Sequence, residues 1–160
     1  MTSLKLDDVY SSFLDKVTDF DIGNYEEDVQ KELLIGYLKG ALGIPYLRAI
    51  FTTIQFVDRD ESIESDYDQI LEYTLKTEDG CDEQFILELL SKGMVIKWLE
   101  PQVKSKVNIA QMFGGKEQKW FSQATHLGEI KDLLENERIE LNKLIRDRGS
   151  IYNPYLTRKK

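Results

Sequence analysis

Histidine and cysteine are almost missing from this chain of 160 residues: His126 and Cys81 are the single members of their types. One cysteine closes no internal disulfide and supplies no cysteine-based zinc site, which excludes a cross-linked secreted scaffold and points to a reducing compartment. Proline occurs 3 times and glycine 10 times, while 41% of positions are apolar and 31% charged, so fibrous repeats and wholesale disorder are excluded. No apolar run approaches the roughly 18 residues that signal a membrane span. The start, Met1-Thr-Ser-Leu-Lys-Leu-Asp-Asp, lacks an apolar stretch behind a basic segment, so neither a signal peptide nor a membrane partner is expected.

Positive charge is also short. Twenty-nine acids against 21 bases give a net charge of −8, which repels duplex DNA and anionic lipid. Residues 129–160 hold 8 bases and 6 acids, leaving 13 bases and 23 acids, net −10, for residues 1–128. The one tight basic cluster is Arg158, Lys159 and Lys160.

What is present is helical spacing. Leu4, Leu6, Val9, Phe13, Leu14 and Val17 recur at intervals suited to one face of a first helix. Glu26, Glu27 and Asp28 open a second, with Val29, Leu33, Leu34, Tyr37, Leu38, Ala41 and Leu42 as its buried stripe. Gly36 and Gly40 allow a close approach there, and Gly43 and Pro45 end the helix. The period then changes. Residues 50–57 and 69–76 are rich in β-branched and aromatic side chains and predict an antiparallel pair or an irregular insertion. Between Asp58 and Glu83 lie 11 acids and 2 bases, a solvated negative loop system.

Asp82 is placed to cap a third helix packed through Phe85, Ile86, Leu89, Leu90, Gly93, Met94, Ile96, Trp98 and Leu99. Pro101 is expected to kink its end, with residues 102–106 a polar connection, 107–113 a short helical piece and 116–125 a loop after Gly114-Gly115. A last helix is expected over 126–148, where Leu127, Leu134 and Leu141, and Ile130, Glu137 and Leu144, repeat every seven residues. The expectation is a mainly α fold: a helical bundle with a small β-hairpin or irregular insertion between the second and third long helices. Leu33, Leu34, Leu38, Phe85, Leu89, Ile96 and Leu99 supply its core. Residues 1–148 form one helical domain, and 149–160 an extended carboxy-terminal arm.

No motif specifies catalysis. His126 has no glycine-flanked nucleophile to serve, and Cys81 lies among acids that disfavour its thiolate. Asp58, Asp60, Ser62, Glu64 and Asp66 alternate like calcium ligands, yet the sixth and twelfth positions of such a loop are Ile63 and Gln69 in place of glycine and glutamate. Gly114-Gly115-Lys116 lacks the preceding glycine and the following hydroxyl of a phosphate loop, with Ala110 and Glu117 in those places. The expectation is no catalytic residue, no cofactor and no metal. Candidate partner-binding residues are Trp120 and Phe121, flanked by Lys116, Lys119, Ser122 and Gln123 and read as either an anchor onto the core or an exposed contact, and the arm residues Ile151, Tyr152, Tyr155, Leu156, Arg158, Lys159 and Lys160. Pro154 stops helix growth, which leaves those anchors for a neighbouring molecule.

Three stretches carry a resemblance: Phe13-Leu-Asp-Lys-Val-Thr-Asp-Phe-Asp-Ile with the acidic start and Leu38-Lys-Gly-Ala-Leu of the second helix; Met94-Val-Ile-Lys-Trp-Leu-Glu-Pro-Gln-Val; and Phe121-Ser-Gln-Ala-Thr-His-Leu-Gly-Glu-Ile-Lys-Asp-Leu with the tyrosine-containing end. In this order they span nearly the whole chain, which resembles the small helical neck proteins of tailed bacteriophages. Ser122-Gln123 departs from the serine-proline step of that pattern. The resemblance implies a non-enzymatic head-to-tail connector made in the host cytoplasm and residing in the virion neck. It further implies a homo-oligomeric ring, contacts to the portal and to other neck or tail proteins, and passage of DNA without sequence-specific binding. A soluble acidic DNA mimic that inhibits a nucleic-acid-binding enzyme is the alternative, motivated by the acids between 58 and 83.

Overall fold

Leu4 and Leu6 sit on different kinds of element. The structure, a computed structural model, describes residues 2–17, 22–58, 69–76, 82–112 and 117–149, with the side chains of 58, 105–112, 117–126 and 148–149 outside that description. Thr2–Lys5 forms strand β1, and helix α1 runs only from Leu6 to Leu14. This corrects the helix expected from Leu4 onward. The physical reason is pairing: Leu4 lies opposite Leu71 in an antiparallel ladder, and a partner strand decides the conformation of four residues too few to nucleate a helix turn alone. Val9 and Phe13 keep the three- and four-residue spacing and are fully buried.

Strands β2 (Phe51–Asp58) and β3 (Gln69–Leu75) pair antiparallel as expected, and β3 is the centre of a sheet ordered β1-β3-β2. Leu71 and Tyr73, two residues apart, are buried on one face. Tyr73 meets the Phe51 ring edge-on at 5.8 Å, a favoured aromatic geometry. Residues 59–68 and 77–81, which include most of the acid-rich stretch and Cys81, lie outside the described residues.

Helix α2 (Glu27–Leu42) buries Leu34, Leu38 and Ala41. Leu33 is half-buried and Val29 is 42% exposed, which corrects the expected stripe and core at these two positions. Both lie toward the helix start, away from the side that packs on the core. A four-residue helix α3 (Pro45–Arg48) follows, with proline at its first turn and Leu47 fully buried. Arg48 Nη1 donates to the Phe51 carbonyl oxygen at 2.9 Å and so ties α3 to β2.

The third long helix, α4 (Glu83–Met112), is capped as the sequence predicts: the Phe85 backbone N–H donates to Asp82 Oδ1 at 2.8 Å. Phe85, Ile86, Leu89, Leu90, Met94, Val95, Ile96 and Leu99 are buried, and Trp98 is half-buried against them. Gly93 lies directly against α2 and α3. A Cβ there stands 2.8 Å from Leu47 Cδ1 and 2.9 Å from Ala41 Cβ, closer than side-chain carbons pack.

Pro101 lies inside α4, so the expected break into a connection and a short second piece is corrected. Proline removes one helical donor, but Gln102 Nε2 donates to the Trp98 carbonyl oxygen at 3.5 Å and Val103 packs against the core beyond it. Helix α5 runs from Glu117 to Gly149, nine residues earlier than expected, and replaces the predicted loop. No glycine or proline falls between 117 and 127, and Glu117 brings an acid to the amino-terminal end. One apolar cluster runs from Leu4 through α4 to Ile130, Leu134 and Leu141 of α5.

Candidate functional site

The candidate site is a set of surfaces on helices and not a catalytic pocket. Helix α5 packs on α4 through Ile130, Leu134 and Leu141, the heptad-spaced positions of the sequence. The acid that interrupts this series, Glu137, faces a cation: Lys92 Nζ of α4 lies 3.5 Å from its Oε2, 2.7 Å from Glu140 Oε2 and 4.0 Å from Glu88 Oε1. Glu88 in turn holds Lys16 Nζ, beyond the end of α1, at 2.8 Å. A second cluster lies farther along, where Glu100 accepts from Lys97 at 3.0 Å and from Arg138 of α5 at 3.1 Å.

These clusters shift the groups in them. Burial draws Lys92 down, but its hydrogen bond to Glu140 and the charges of Glu137, Glu140 and Glu88 outweigh that and raise its pKa. Burial pushes Glu100 up, and the hydrogen bonds and charges of Lys97 and Arg138 reverse it, leaving Glu100 below the ordinary carboxylate value. The Lys92 hydrogen bond likewise holds Glu140 low. A carboxylate lowered on folding stabilises the fold above its unfolded pKa of roughly 4.3 and loses that contribution as pH falls through its folded value. Lys92, raised, contributes below roughly 10.4 and loses its contribution as pH climbs through its folded value. Stability should therefore fall on acidification below about pH 4.5. Glu100→Gln should be less stable than wild type at pH 7 by urea unfolding, with a smaller drop between pH 7 and 3. An unchanged drop would show that the Glu100 cluster does not couple α5 to α4.

A cleft of about 370 Å³ opens between α1, α2 and the start of β3, lined by Leu6, Asp7, Tyr10, Lys31, Glu32, Ile35 and Gln69. Burial, with the Asp7 charge beside it, pushes the Tyr10 phenol up to about 12, so it stays protonated at neutral pH and acts as a hydrogen-bonding group and not as a base. Deeper in the fold, Ser91 is fully buried, accepts from Ser12 Oγ at 3.2 Å and donates to the Glu88 carbonyl oxygen at 3.1 Å. That pair joins α1 to α4. Among the described residues no group of three or more His, Cys, Asp or Glu side chains is arranged to hold a metal ion. None of the described helices is long and apolar enough to cross a membrane.

Large apolar side chains are left uncovered on α2 and α5. Tyr25, just before α2, is 50% exposed, and Leu133 and Ile139 of α5 are 45% and 56% exposed. Trp120 and Phe121 lie on the first turns of α5, but their side chains, like that of His126, are outside the described set. Ile151, Tyr152, Tyr155, Leu156, Arg158, Lys159 and Lys160 lie outside the described residues altogether. Sequence reasoning missed Lys92, Arg138 and Ile139. For Lys92 the signal was present, because an acid in a heptad-spaced apolar series demands a cation on the facing helix. No family model matches the chain, and no curated protein or solved structure matches it.

Proposed function

We propose that this chain is a structural virion protein of a tailed bacteriophage, a head-to-tail connector subunit that forms a ring joining the portal to the tail. The observation that carries this reading is the ordered succession of three stretches, residues 13–42, 94–103 and 121 to the tyrosine-containing end, in the pattern of neck proteins. The mainly α architecture with a small sheet, and uncovered apolar residues on two helices, support it. Such a subunit acts through protein contacts. It resides in the virion neck after synthesis in the host cytoplasm, and DNA passes without base-specific binding. The net charge of −10 over residues 1–128 suits a conduit that must not hold phosphates.

The carboxy-terminal arm belongs to the same proposal. Ile151, Tyr152, Tyr155 and Leu156 anchor on a neighbouring subunit or neck protein, and Arg158, Lys159 and Lys160 meet acids there. A chain truncated after Arg148 should melt like the full chain but enter purified particles less, as read by quantitative mass spectrometry. Wild-type incorporation would remove the arm from the account. The DNA-mimic alternative is favoured by no described feature, and it predicts a small monomer or dimer absent from particles.

A further inference from the structure

Gly36 is a helix-interior glycine that no packing contact among the described residues requires. Among the described residues a Cβ built there meets nothing within 4 Å, whereas Gly40, one turn on, has Lys97 Cγ at 3.1 Å and Gly93 has α2 and α3 against it. Glycine is among the weakest helix formers, so an exposed, uncrowded one on α2 leaves a flat backbone surface. At 3.6 residues per turn, Val29, Glu32 and Gly36 share one exposed face of α2, with Lys39 at its edge. On α5, Glu135, Ile139, Lys143 and Arg146 share another exposed face.

We infer that these two faces bind each other between copies of this chain: the Val29–Glu32–Gly36 face of one copy packs antiparallel on the Ile139–Lys143–Arg146 face of the next. The register follows from shape and charge. With Ile139, more than half exposed, seated on the flat surface at Gly36, antiparallel helices bring Glu32 opposite Lys143, the Arg146 stem onto Val29, and Lys39 beside Glu135. A parallel arrangement in the same register brings Glu32 toward Glu135 and Lys39 toward Lys143, like against like. Existing partners do not prevent the pairing. Arg146 meets Asp147 at 3.8 Å and Glu135 meets Arg138 at 4.0 Å, both exposed and loose, and Lys39 lies 5.6 Å from the Phe56 ring.

Because the two faces differ, the contact is heterologous and leaves one face of each kind free until the assembly closes into a ring. The inference rests on the reading of the chain as a ring-forming subunit, and names the contact.

The test is size-exclusion chromatography with light scattering on the purified full chain up to about 1 mM, with melting temperature measured alongside. Wild type should self-associate, and more weakly as salt rises. Gly36→Leu should melt at the same or a higher temperature, since its Cβ meets nothing, yet raise the dissociation constant at least about tenfold. Glu32→Lys or Lys143→Glu alone should raise it roughly five- to tenfold, and the double variant should return to within about threefold of wild type. A wild-type monomer throughout, an unaffected Gly36→Leu, or a double variant no better than the singles overturns the inference. Presence of the chain in particles while these variants assemble normally would reject the faces and leave the connector reading standing. Charge-swap rescue in a chain absent from particles would do the reverse.

Discussion

Leu89→Asp should leave no cooperative unfolding transition. Leu89 is fully buried in the second turn of α4 (Glu83–Met112), the helix against which α1, α2 and α5 all pack. Removing its apolar side chain alone costs about 2–5 kcal/mol. The carboxylate adds the penalty of a buried charge, and the Lys16 and Lys92 ammoniums are already engaged at 2.8 and 2.7 Å by Glu88 and Glu140. The sum is comparable to the whole net stability of a domain, about 5–15 kcal/mol. Circular dichroism against temperature should show a featureless slope, while Leu89→Met, close in volume, should melt within about 1.5 kcal/mol of wild type. A normal sigmoidal melt for the aspartate variant would mean that α4 is not the central helix.

The second large effect separates two glycines of identical local propensity. Gly93→Val should destabilise by about 2–4 kcal/mol, whereas Gly36→Ala should stabilise by about 0.5–1 kcal/mol. Both substitutions gain helix propensity. At Gly93 that gain is outweighed, because the new Cβ stands 2.8 Å from Leu47 Cδ1 and 2.9 Å from Ala41 Cβ, and those two residues are themselves fully buried and have nowhere to retreat. At Gly36 nothing opposes the gain. Urea midpoints at equal slope decide it, and two shifts of the same sign would contradict the packing of α2 and α3 on α4.

Gly93 also shows what the sequence carries and what it hides. Periodicity placed α2, α4 as far as Pro101 and most of α5 correctly, and Asp82 capped α4 as a side-chain oxygen before an apolar run should. The change of period at residue 50 located β2 and β3, because period-2 burial at Leu71 and Tyr73 is a local property. The contacts that failed to show are non-local. Leu4 reads as helix until β3 lies beside it, Gly36 and Gly40 look alike until Lys97 is found against one of them, and Pro101 reads as a break until Gln102 and Val103 hold the helix on its far side. At the beginning of α5 the aromatic pair Trp120-Phe121 after Gly114-Gly115 suggests a loop, but the absence of a breaker between 117 and 127 is the stronger signal. The candidate surface was legible only in fragments. In the sequence Gly36 and Gly40 both suit a close approach, but which glycine serves the interior and which faces outward is decided by tertiary packing.

Imaging of the neck in purified tailed particles, at a quality that traces side chains, tests the connector reading most directly. The account predicts a ring of copies of this chain between portal and tail, with α4 and α5 paired as described and DNA passing through the centre. A traced neck whose density belongs entirely to other chains would contradict it.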